Sequence, residues 1–374
     1  MPSSTSSSEW RTEPPSDLVP FDRPLPAVRF GTAIIAAVIV FLGSIAGWEI
    51  YWRAYGSTPS YQNSDGLWAM QRRRIDHGEG NATVLSGASR ALFDIDLDTW
   101  RRVSGERPIQ LALEGTSPMF LLQDLANDPK FTGRLIVGVA PDVFFSGFAY
   151  RGKVQKYYRE ETLSQRAGQW LSMHFIEPFF AFDDPDFALM TVLRRQHWPV
   201  RSGVPSHMDV RKLAVSDADR NTHMWSKVET DPEYEKMAQD VWAQDFDVPP
   251  YKQMKLSGPE EMDRVVMKQI DDAAAAVAKL RARGVEVVFV RSPTTDRYLE
   301  FDNREFPRSK TWDVLLQRTG APGIHFEDYP GLKGYWLPEW SHLAAKERPR
   351  FTEALYGILE REYGWSRRNV KKDN

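Results

Sequence analysis

Residues able to do chemistry together fall in two short stretches of the chain. Residues 82–85 predict a strand that stops at Gly87, and a helix-like run begins near Ala91, so Ser89 stands between strand and helix. A serine there lies near the unpaired N–H groups of a helix start, at the edge where open α/β sheets place their chemistry. Near the other end of the chain, Glu339 and His342 share one loop. A hydroxyl, an imidazole and a carboxylate are the groups that a serine hydrolase or acyltransferase needs.

Each of these residues also has a purely structural interpretation. Gly-x-Ser occurs in many ordinary turns, and Gly87-Ala88-Ser89 taken alone is a weak signal. His342 would then be a residue at a helix start that makes one structural hydrogen bond. The sequence leaves both interpretations open, and the combination of the two stretches favours catalysis.

Composition bounds the class of protein. The 374 residues are 42% hydrophobic, which is enough for a sizeable core. The net charge of -3, without a long basic stripe, argues against nucleic-acid binding. Without cysteine the chain has no disulfide, thiolate catalysis or Cys-ligated zinc. The histidines His77, His174 and His325 lack metal-ligand spacing, so we predict no metal and no cofactor.

One segment predicts a membrane anchor. Residues 30–48 carry no charge and are long enough to span a bilayer, and Tyr51, Trp52 and Arg53 suit the interface beyond it. No small-x-small cleavage site is evident, which favours an uncleaved signal anchor. The alternative is a buried core helix, but the apolar residues run all round the helix.

The flanking charges predict the orientation. Arg11, Arg23 and Arg29 precede the segment, and the positive-inside rule then places the N-terminus in the cytoplasm. The predicted organisation is a disordered Ser- and Pro-rich cytoplasmic tail, a transmembrane anchor and an extracytoplasmic domain, at residues 1–29, 30–52 and 53–374.

Short apolar runs alternate with helical patterns over the rest of the chain. Strands are predicted at 82–86, 109–113, 134–139, 285–290 and 323–326, with helices at 91–102, 118–126 and 344–363 and another between Ser257 and Arg283. This alternation predicts an α/β fold with a mainly parallel sheet covered on both faces. The pattern is lost over about 144–256, a stretch too long for a structureless loop, which predicts a largely helical insertion acting as a lid or acceptor-binding surface.

Taken in order, these motifs resemble those of the SGNH (GDSL-like) hydrolase superfamily, over about residues 82–363 apart from the insertion. Ser89 stands where the family has Gly-Asp-Ser, although Ala88 replaces the acid. Gly115 follows the second strand, as the family's oxyanion glycine does, although a glycine in a strand-end turn is an equal alternative. Glu339 and His342 match the family's Asp-x-x-His with Glu in place of Asp.

The resemblance implies a flavodoxin-like three-layer α/β/α sandwich and a set of roles. His342 would take the proton from Ser89, and Glu339 would orient the imidazole. The N–H groups of Ser89 and Gly115 would form the oxyanion hole. Arg90 and Arg291 also follow strand ends and are candidates to contact an anionic or sugar substrate, although ion pairs are the commoner use of such arginines.

Within the superfamily the chain looks most like membrane-anchored proteins of polysaccharide O-acetylation and teichoic-acid D-alanylation. That likeness implies a serine esterase or acyltransferase acting on acyl groups, O-acetyl above all, of an envelope or exported polysaccharide. It would work outside the bacterial cytoplasmic membrane, with a membrane-bound O-acyltransferase as a possible partner. However, the third strand runs into Asp142 with no asparagine, the family's further oxyanion donor. The alternative is a catalytically degraded scaffold that binds glycan or the acyltransferase.

Overall fold

The computed structural model describes residues 30–196 and 208–367. The predicted tail, 1–29, lies outside these ranges. The chain divides into two compact units, Met1–Tyr51 and Trp52–Asn374, which are described separately.

All of the first unit's described residues, 30–51, belong to one helix, whose last four residues are the first of the second unit. Helix α1, Phe30–Tyr55, contains an 18-residue window with a mean hydropathy of 2.2, none of it buried. A helix of 26 residues at about 1.5 Å per residue exceeds the roughly 30 Å of a bilayer core. It is therefore long and apolar enough to cross a membrane, and its exposure argues against the buried core helix.

We expect α1 to cross the bilayer once, with the large domain outside the cytoplasm. A reporter that works only outside the cytoplasm, fused after Asn374, should be active, and a cytoplasmic reporter at the same place should be inactive. The opposite pair of results would reverse the orientation, since the three arginines before α1 are its only support.

The second unit is built on a five-stranded parallel sheet. Its strands in spatial order are β2, β1, β3, β6 and β7. A separate antiparallel hairpin joins β4 and β5. The strand bounds are Thr83–Ser86 (β1), Ile109–Gln110 (β2), Arg134–Gly138 (β3), Ala214–Ser216 (β4), Thr222–Met224 (β5), Glu286–Arg291 (β6) and Gly323–His325 (β7). The predicted parallel sheet is thus confirmed.

Helices surround this sheet and fill the insertion. Their bounds are Asp65–Arg74 (α2), Ser89–Asp94 (α3), Leu97–Ser104 (α4), Met119–Asn127 (α5), Pro141–Ser146 (α6), Val154–Glu160 (α7), Leu163–Phe175 (α8), Leu189–Arg194 (α9), Ser226–Thr230 (α10), Pro232–Ala243 (α11), Pro250–Gln253 (α12), Pro259–Ala282 (α13), Asp296–Glu305 (α14), Trp312–Thr319 (α15) and Arg348–Tyr363 (α16). Short π or 3-10 turns occupy Ile75–Glu79, Ala181–Asp183, Pro185–Phe187, Arg308–Lys310, Phe326–Asp328, Pro330–Leu332 and Ala345–Glu347. The insertion therefore carries several helices and the β4–β5 hairpin.

Alternate residues of the central strands enter two different cores. Val84, Val137 and Phe289 pack in a core with residues of α5 and α13. Their neighbours Leu85 and Ile136 pack in a second core with residues of α4 and α16. Each such buried side chain stabilises the fold by about 1.5–3 kcal/mol. Both faces of the sheet are thus covered, as runs without polar alternation predict.

Two local details differ from the sequence prediction. The helix expected over 91–102 is two helices, because the Asp96 side chain accepts a hydrogen bond from Thr99 N (2.7 Å) and starts a new one. The second strand pairs only at Ile109–Gln110, although Leu111 N still donates to Leu85 O (2.8 Å). The helix expected between Ser257 and Arg283 covers Pro259–Ala282, and both the N–H and the hydroxyl of Ser257 donate to Glu261 ahead of it.

Candidate active site

A tight turn connects β1 to α3, and Ser89 is the first residue of that helix. Gly87 has a φ of 147°, and a Cβ there would lie 2.6 Å from the Cβ of Ala91 and 3.0 Å from the Cα of Gly138. Only glycine fits this close approach of turn, helix and neighbouring strand. Ser89 is half-buried, whereas Ala88 and Arg90 on either side are buried. The turn thus leaves the Ser89 side chain accessible at the carboxyl edge of the sheet.

The imidazole of His342 lies against the helix that carries Ser89. The Phe93 ring stacks on His342, with ring centroids 4.3 Å apart. Phe93 is four residues after Ser89 on α3, so the two side chains share one face of the helix, about one turn apart. The fold therefore places the His342 ring against α3, the helix that begins at Ser89, although more than 250 positions separate the two residues in the sequence.

Two further contacts hold the His342 loop on α3. The Asp94 carboxylate accepts a hydrogen bond from Leu343 N (3.0 Å). The Arg90 Nε donates to the Ser341 hydroxyl (3.2 Å). The residues on both sides of His342 are thus anchored to α3, the helix that begins at Ser89, which limits how far the ring can move from that helix.

Glu339 orients the imidazole directly. Its Oε1 lies 2.8 Å from Nδ1 of His342 and also accepts a hydrogen bond from His342 N (2.7 Å). Its Oε2 accepts a hydrogen bond from the indole N–H of Trp242, on α11. Glu339 is fully buried and His342 is 1% exposed. Charge-assisted hydrogen bonds of this kind are strong, so the pair is held in one arrangement.

The backbone between them explains how a glutamate makes this contact. Trp340 has a φ of 71°, in the left-handed region that bulky residues rarely adopt. Hydrogen bonds from Trp340 N to Leu337 O (3.1 Å) and from Thr295 N to Trp340 O (3.0 Å) hold it there. The resulting tight turn brings the longer Glu339 side chain back onto His342.

The two ring nitrogens of His342 differ in their hydrogen bonding. With its Nδ1–H donated to Glu339, the neutral ring has Nε2 free as its acceptor. His342 Nε2 is buried and has no hydrogen-bond partner within 30–196 and 208–367, Ser89 included. Catalytic hydrogen bonds often tighten only when substrate binds. A buried ring nitrogen without a partner is the feature that the predicted role of His342 as a base requires.

Gly115 lies at the neighbouring strand end. Leu113 N donates to Gly87 O (3.0 Å), so the loops that lead to Gly115 and to Ser89 start from one hydrogen bond. Gly115 has a φ of 53°, and a Cβ there would lie 3.3 Å from that of Tyr150. Among the described residues its N–H has no acceptor. The loop that carries Gly115 thus starts beside the Ser89 turn, as the prediction that both N–H groups form an oxyanion hole requires.

Arg90 and Arg291 lie beneath the site rather than on its surface. Each is 3% exposed, and their guanidinium groups share Asp302 Oδ2, at 3.1 and 2.6 Å. Buried charges need such partners. These positions favour a role in fixing the loops around the site, through the bond from Arg90 to Ser341. Contact of either arginine with a substrate stays a prediction.

Asp142 follows the third strand, after which the superfamily that the sequence resembles has an asparagine. Its Oδ2 accepts a hydrogen bond from the Tyr298 hydroxyl (2.8 Å). Burial, with Asp142 beside it, raises the pKa of Tyr298, so the hydroxyl keeps the proton that it donates. A carboxyl group has no N–H to donate to an oxyanion, unlike the amide of an asparagine. This chain therefore offers backbone N–H groups rather than a side-chain amide.

Sequence reasoning missed Phe93, Asp94 and Trp242. Asp94 carried a signal, because a carboxylate in the apolar run of α3 is rarely buried without a purpose. Trp242 carried none, since it reaches Glu339 from 97 residues away through the insertion.

Asp94 gives the site a pH-dependent element. Burial raises its pKa to about 6, opposed by His342, the Leu343 N–H and Arg90. Because this pKa exceeds the ordinary 3.8, the folded state holds the proton more tightly than the unfolded chain between about pH 4 and 6. The contribution of Asp94 to stability is therefore present below that window and is lost as the pH rises through it.

We expect Asp94→Asn to remove that loss while keeping an acceptor for Leu343 N. Relative to the wild type, the variant should gain up to about 3 kcal/mol in the free energy of unfolding between pH 4 and pH 7. Melting temperatures of the full chain in detergent at both pH values measure this. Parallel pH profiles for the two proteins would show that Asp94 does not titrate in this range.

A cavity opens at the same edge of the sheet. It encloses about 330 Å³, and its lining includes Thr295, Lys333, Tyr335 and Leu337. Thr295 N donates to the carbonyl of Trp340, the residue after Glu339. None of Ser89, Gly115, Glu339 and His342 lines this cavity, so it lies beside the His342 loop and outside the candidate site itself.

Compared with protein-family models and with curated proteins, the sequence gives no match. Function is therefore argued from the geometry of the site.

Proposed function

We propose that this chain is a membrane-anchored serine esterase or acyltransferase with a Ser89–His342–Glu339 triad. One observation carries the proposal: a buried imidazole, fixed through Nδ1 by Glu339, with an unpartnered Nε2 beside the helix that starts at Ser89. A histidine with a purely structural role would be expected to use both ring nitrogens when buried, because an unmade hydrogen bond costs about 1–3 kcal/mol.

The reaction follows from these positions. Ser89 Oγ attacks the carbonyl carbon of an ester while His342 Nε2 takes its proton. The N–H groups of Ser89 and Gly115 stabilise the oxyanion of the tetrahedral intermediate. His342 returns the proton to the leaving alcohol as the ester C–O bond breaks, which leaves an acyl group on Ser89. Water or a sugar hydroxyl then attacks this acyl-enzyme with His342 again as base. The bond between the acyl carbon and Ser89 Oγ breaks, and His342 returns the proton to that oxygen, which completes hydrolysis or transfer.

The strand order supports the assignment to the SGNH class. Numbered along the chain, the strands of the parallel sheet have the order 2-1-3-4-5, the order of flavodoxin-like folds. With helices packed in cores on both faces, this favours a flavodoxin-like three-layer sandwich. Ser89 follows its first strand, Gly115 its second and His342 its last, as in the superfamily that the sequence resembles.

The apolar helix α1 favours a substrate at the cell envelope. Held to the outer face of a bacterial cytoplasmic membrane, the domain would meet exported or envelope polysaccharide, and O-acetyl groups are its proposed substrate. A membrane-bound O-acyltransferase is the proposed supplier of the acyl group. Nucleic acid and metal have no part in this proposal.

A second candidate is a scaffold that binds glycan or the acyltransferase without efficient chemistry. The observation that favours it is Asp142, which cannot replace the amide donor of the family's oxyanion hole. Losing one such donor costs about 100- to 1000-fold in turnover. The intact Glu339–His342 pair favours the enzyme.

Turnover of acetyl esters by the full chain in detergent separates the two candidates. The enzyme predicts acetate release from a small aryl acetate and from an acetylated polysaccharide, abolished by Ser89→Ala. The scaffold predicts polysaccharide binding that Ser89→Ala leaves intact, with no acetate release by the wild type.

A further inference from the structure

We propose that α8 and α9 rest on the phospholipid bilayer surface, beside the point where α1 leaves it. The inference rests on the anchoring part of the proposed function and goes beyond it, because it assigns a membrane-contacting surface to the folded domain. The surface, named here the α8–α9 face, comprises Leu163, Trp170, Leu171 and Phe175 on α8 and Leu189 and Met190 on α9.

Helix α8 presents its apolar side away from the protein. Leu163 is 81% exposed, Trp170 and Leu171 are each 50% exposed, and Phe175 is 59% exposed. At 100° per residue these four side chains fall on one side of the helix. Polar or charged residues would be expected on a solvent-facing side of a soluble domain.

The opposite side of α8 holds it on the domain. Gln169 accepts a hydrogen bond from the Ser64 hydroxyl (2.8 Å), and Met173, four residues on, is buried. A capping box formed by Thr162 and Gln165 fixes the start of the helix. The orientation of the apolar side is therefore set by specific contacts, and it remains exposed although the helix is well anchored.

The second helix continues the surface. Leu189 is 58% exposed and Met190 is 60% exposed. Several exposed large apolar side chains on two helices that follow each other in the chain are uncommon on a monomeric soluble protein and indicate an interaction surface.

Contacts within the second unit join this surface to Trp52 and Arg53, in the last turns of α1. Arg53, in the last turn of α1, donates through Nη2 to the carbonyl of Phe179, four residues after α8 ends (2.8 Å). The Trp52 ring stacks on Phe187, two residues before α9 begins, with centroids 4.3 Å apart. Both segments that carry the face are thus tied to the end of the candidate span.

The depth follows from helix geometry. The uncharged run ends at Trp48, and Arg53 lies five residues later on the same helix, a rise of about 8 Å. The headgroup layer on each side of a bilayer is about 5–7 Å thick. Whatever contacts Arg53 therefore lies within or just above that layer.

The chemistry of the face suits lipid better than water. Trp, Phe, Leu and Met side chains with arginines beside them are typical of helices that lie in a membrane interface. Arg166 and Arg194 are exposed near the apolar side. Two neighbouring acids form ion pairs: Glu161 pairs with Arg73 and Arg166, and Asp186 pairs with Arg195. Little repulsion from anionic headgroups is expected at these pairs.

The absence of cysteine makes the test direct, because any introduced cysteine is the only thiol. Full-length Leu171→Cys and Met190→Cys are each labelled with an environment-sensitive fluorophore and reconstituted in phosphatidylcholine/phosphatidylglycerol liposomes. Lys279→Cys is the matched control, since it is exposed near the end of α13 that leads into β6, at the amino edge of the sheet. Ile39→Cys, in the middle of α1, reports on the span itself.

We expect lipids that carry a nitroxide near the headgroup to lower the emission at Leu171→Cys and Met190→Cys at least about twofold, the response of side chains at the interface. Lys279→Cys should be unaffected, and Ile39→Cys should respond to a nitroxide deep in the acyl chain. If Ile39→Cys is quenched but both face positions behave like Lys279→Cys, the inference is overturned. If the labels at Leu171→Cys and Met190→Cys are not quenched by these lipids in liposomes, but are shielded from soluble quenchers in native membranes, a protein partner covers the face instead of lipid. If Ile39→Cys is not quenched, α1 does not span and the inference fails with the anchor, while esterase activity and its loss in Ser89→Ala remain a separate result.

Discussion

Replacing Ser89 with alanine is expected to lower ester turnover by at least about a thousandfold, because the triad loses the only atom that can form the acyl-enzyme. The fold should be unaffected, since Ser89 is half-buried and its helix is held by Phe93 and Asp94. Residual activity would come from substrate binding and the backbone N–H groups alone.

Ser86→Ala is the matched control. Ser86 lies three residues earlier at the end of β1, is fully buried, and its hydroxyl has no partner among the described residues. Its removal should leave turnover within a few-fold of the wild type. Turnover that survives Ser89→Ala, or that disappears in Ser86→Ala instead, would show that the nucleophile is assigned to the wrong serine.

Replacing His342 with alanine is expected to cost nearly as much as Ser89→Ala, because without the base the hydroxyl keeps its proton and is a weak nucleophile. Glu339→Ala should cost less, since it removes the orientation of the ring and leaves the base. In the double variant, the loss should not exceed that of His342→Ala alone, because residues that act as a unit are not additive.

Conservative changes separate catalysis from packing. Glu339→Asp should lower turnover about tenfold, because the shorter side chain cannot hold both Trp242 on one oxygen and His342 on the other. Trp242→Phe keeps an aromatic ring but removes the indole N–H and part of the ring volume, and because the His342 contact of Glu339 is untouched, a smaller loss of turnover is expected. Purified full-length variants are compared by turnover and by melting temperature. Turnover by His342→Ala equal to that of the wild type would contradict the triad.

The sequence foretold the parts of this molecule that depend on local pattern. Runs such as 134–138 are apolar on both faces because both faces of the strand are covered, and the sheet forms there. Gly87 and Ser89 could be located for a similar reason, since a strand followed by a tight turn and a helix has a strong local signature. Glu339 and His342 were found because they lie in one short stretch.

What the sequence did not foretell depends on contacts between distant residues. Arg90 and Arg291 share Asp302 and are buried, a pairing that their positions after strand ends do not reveal. The hydrogen bond from Trp242 to Glu339 depends on how the insertion packs, and the sequence of the insertion has no simple hydrophobic period that would predict that packing. The exposed side of α8 could not be told from a core-facing side, because an amphipathic pattern does not say which way its apolar side points.

The central claim is that Ser89 is a nucleophile activated by His342, and a fluorophosphonate probe tests it most directly. The full chain in detergent is treated with the probe, digested, and the modified residue is identified by mass spectrometry. We expect one adduct, on Ser89, formed at near wild-type rate in Ser86→Ala and absent from Ser89→Ala and His342→Ala. An adduct on another serine, or none on the folded wild type, would contradict the claim.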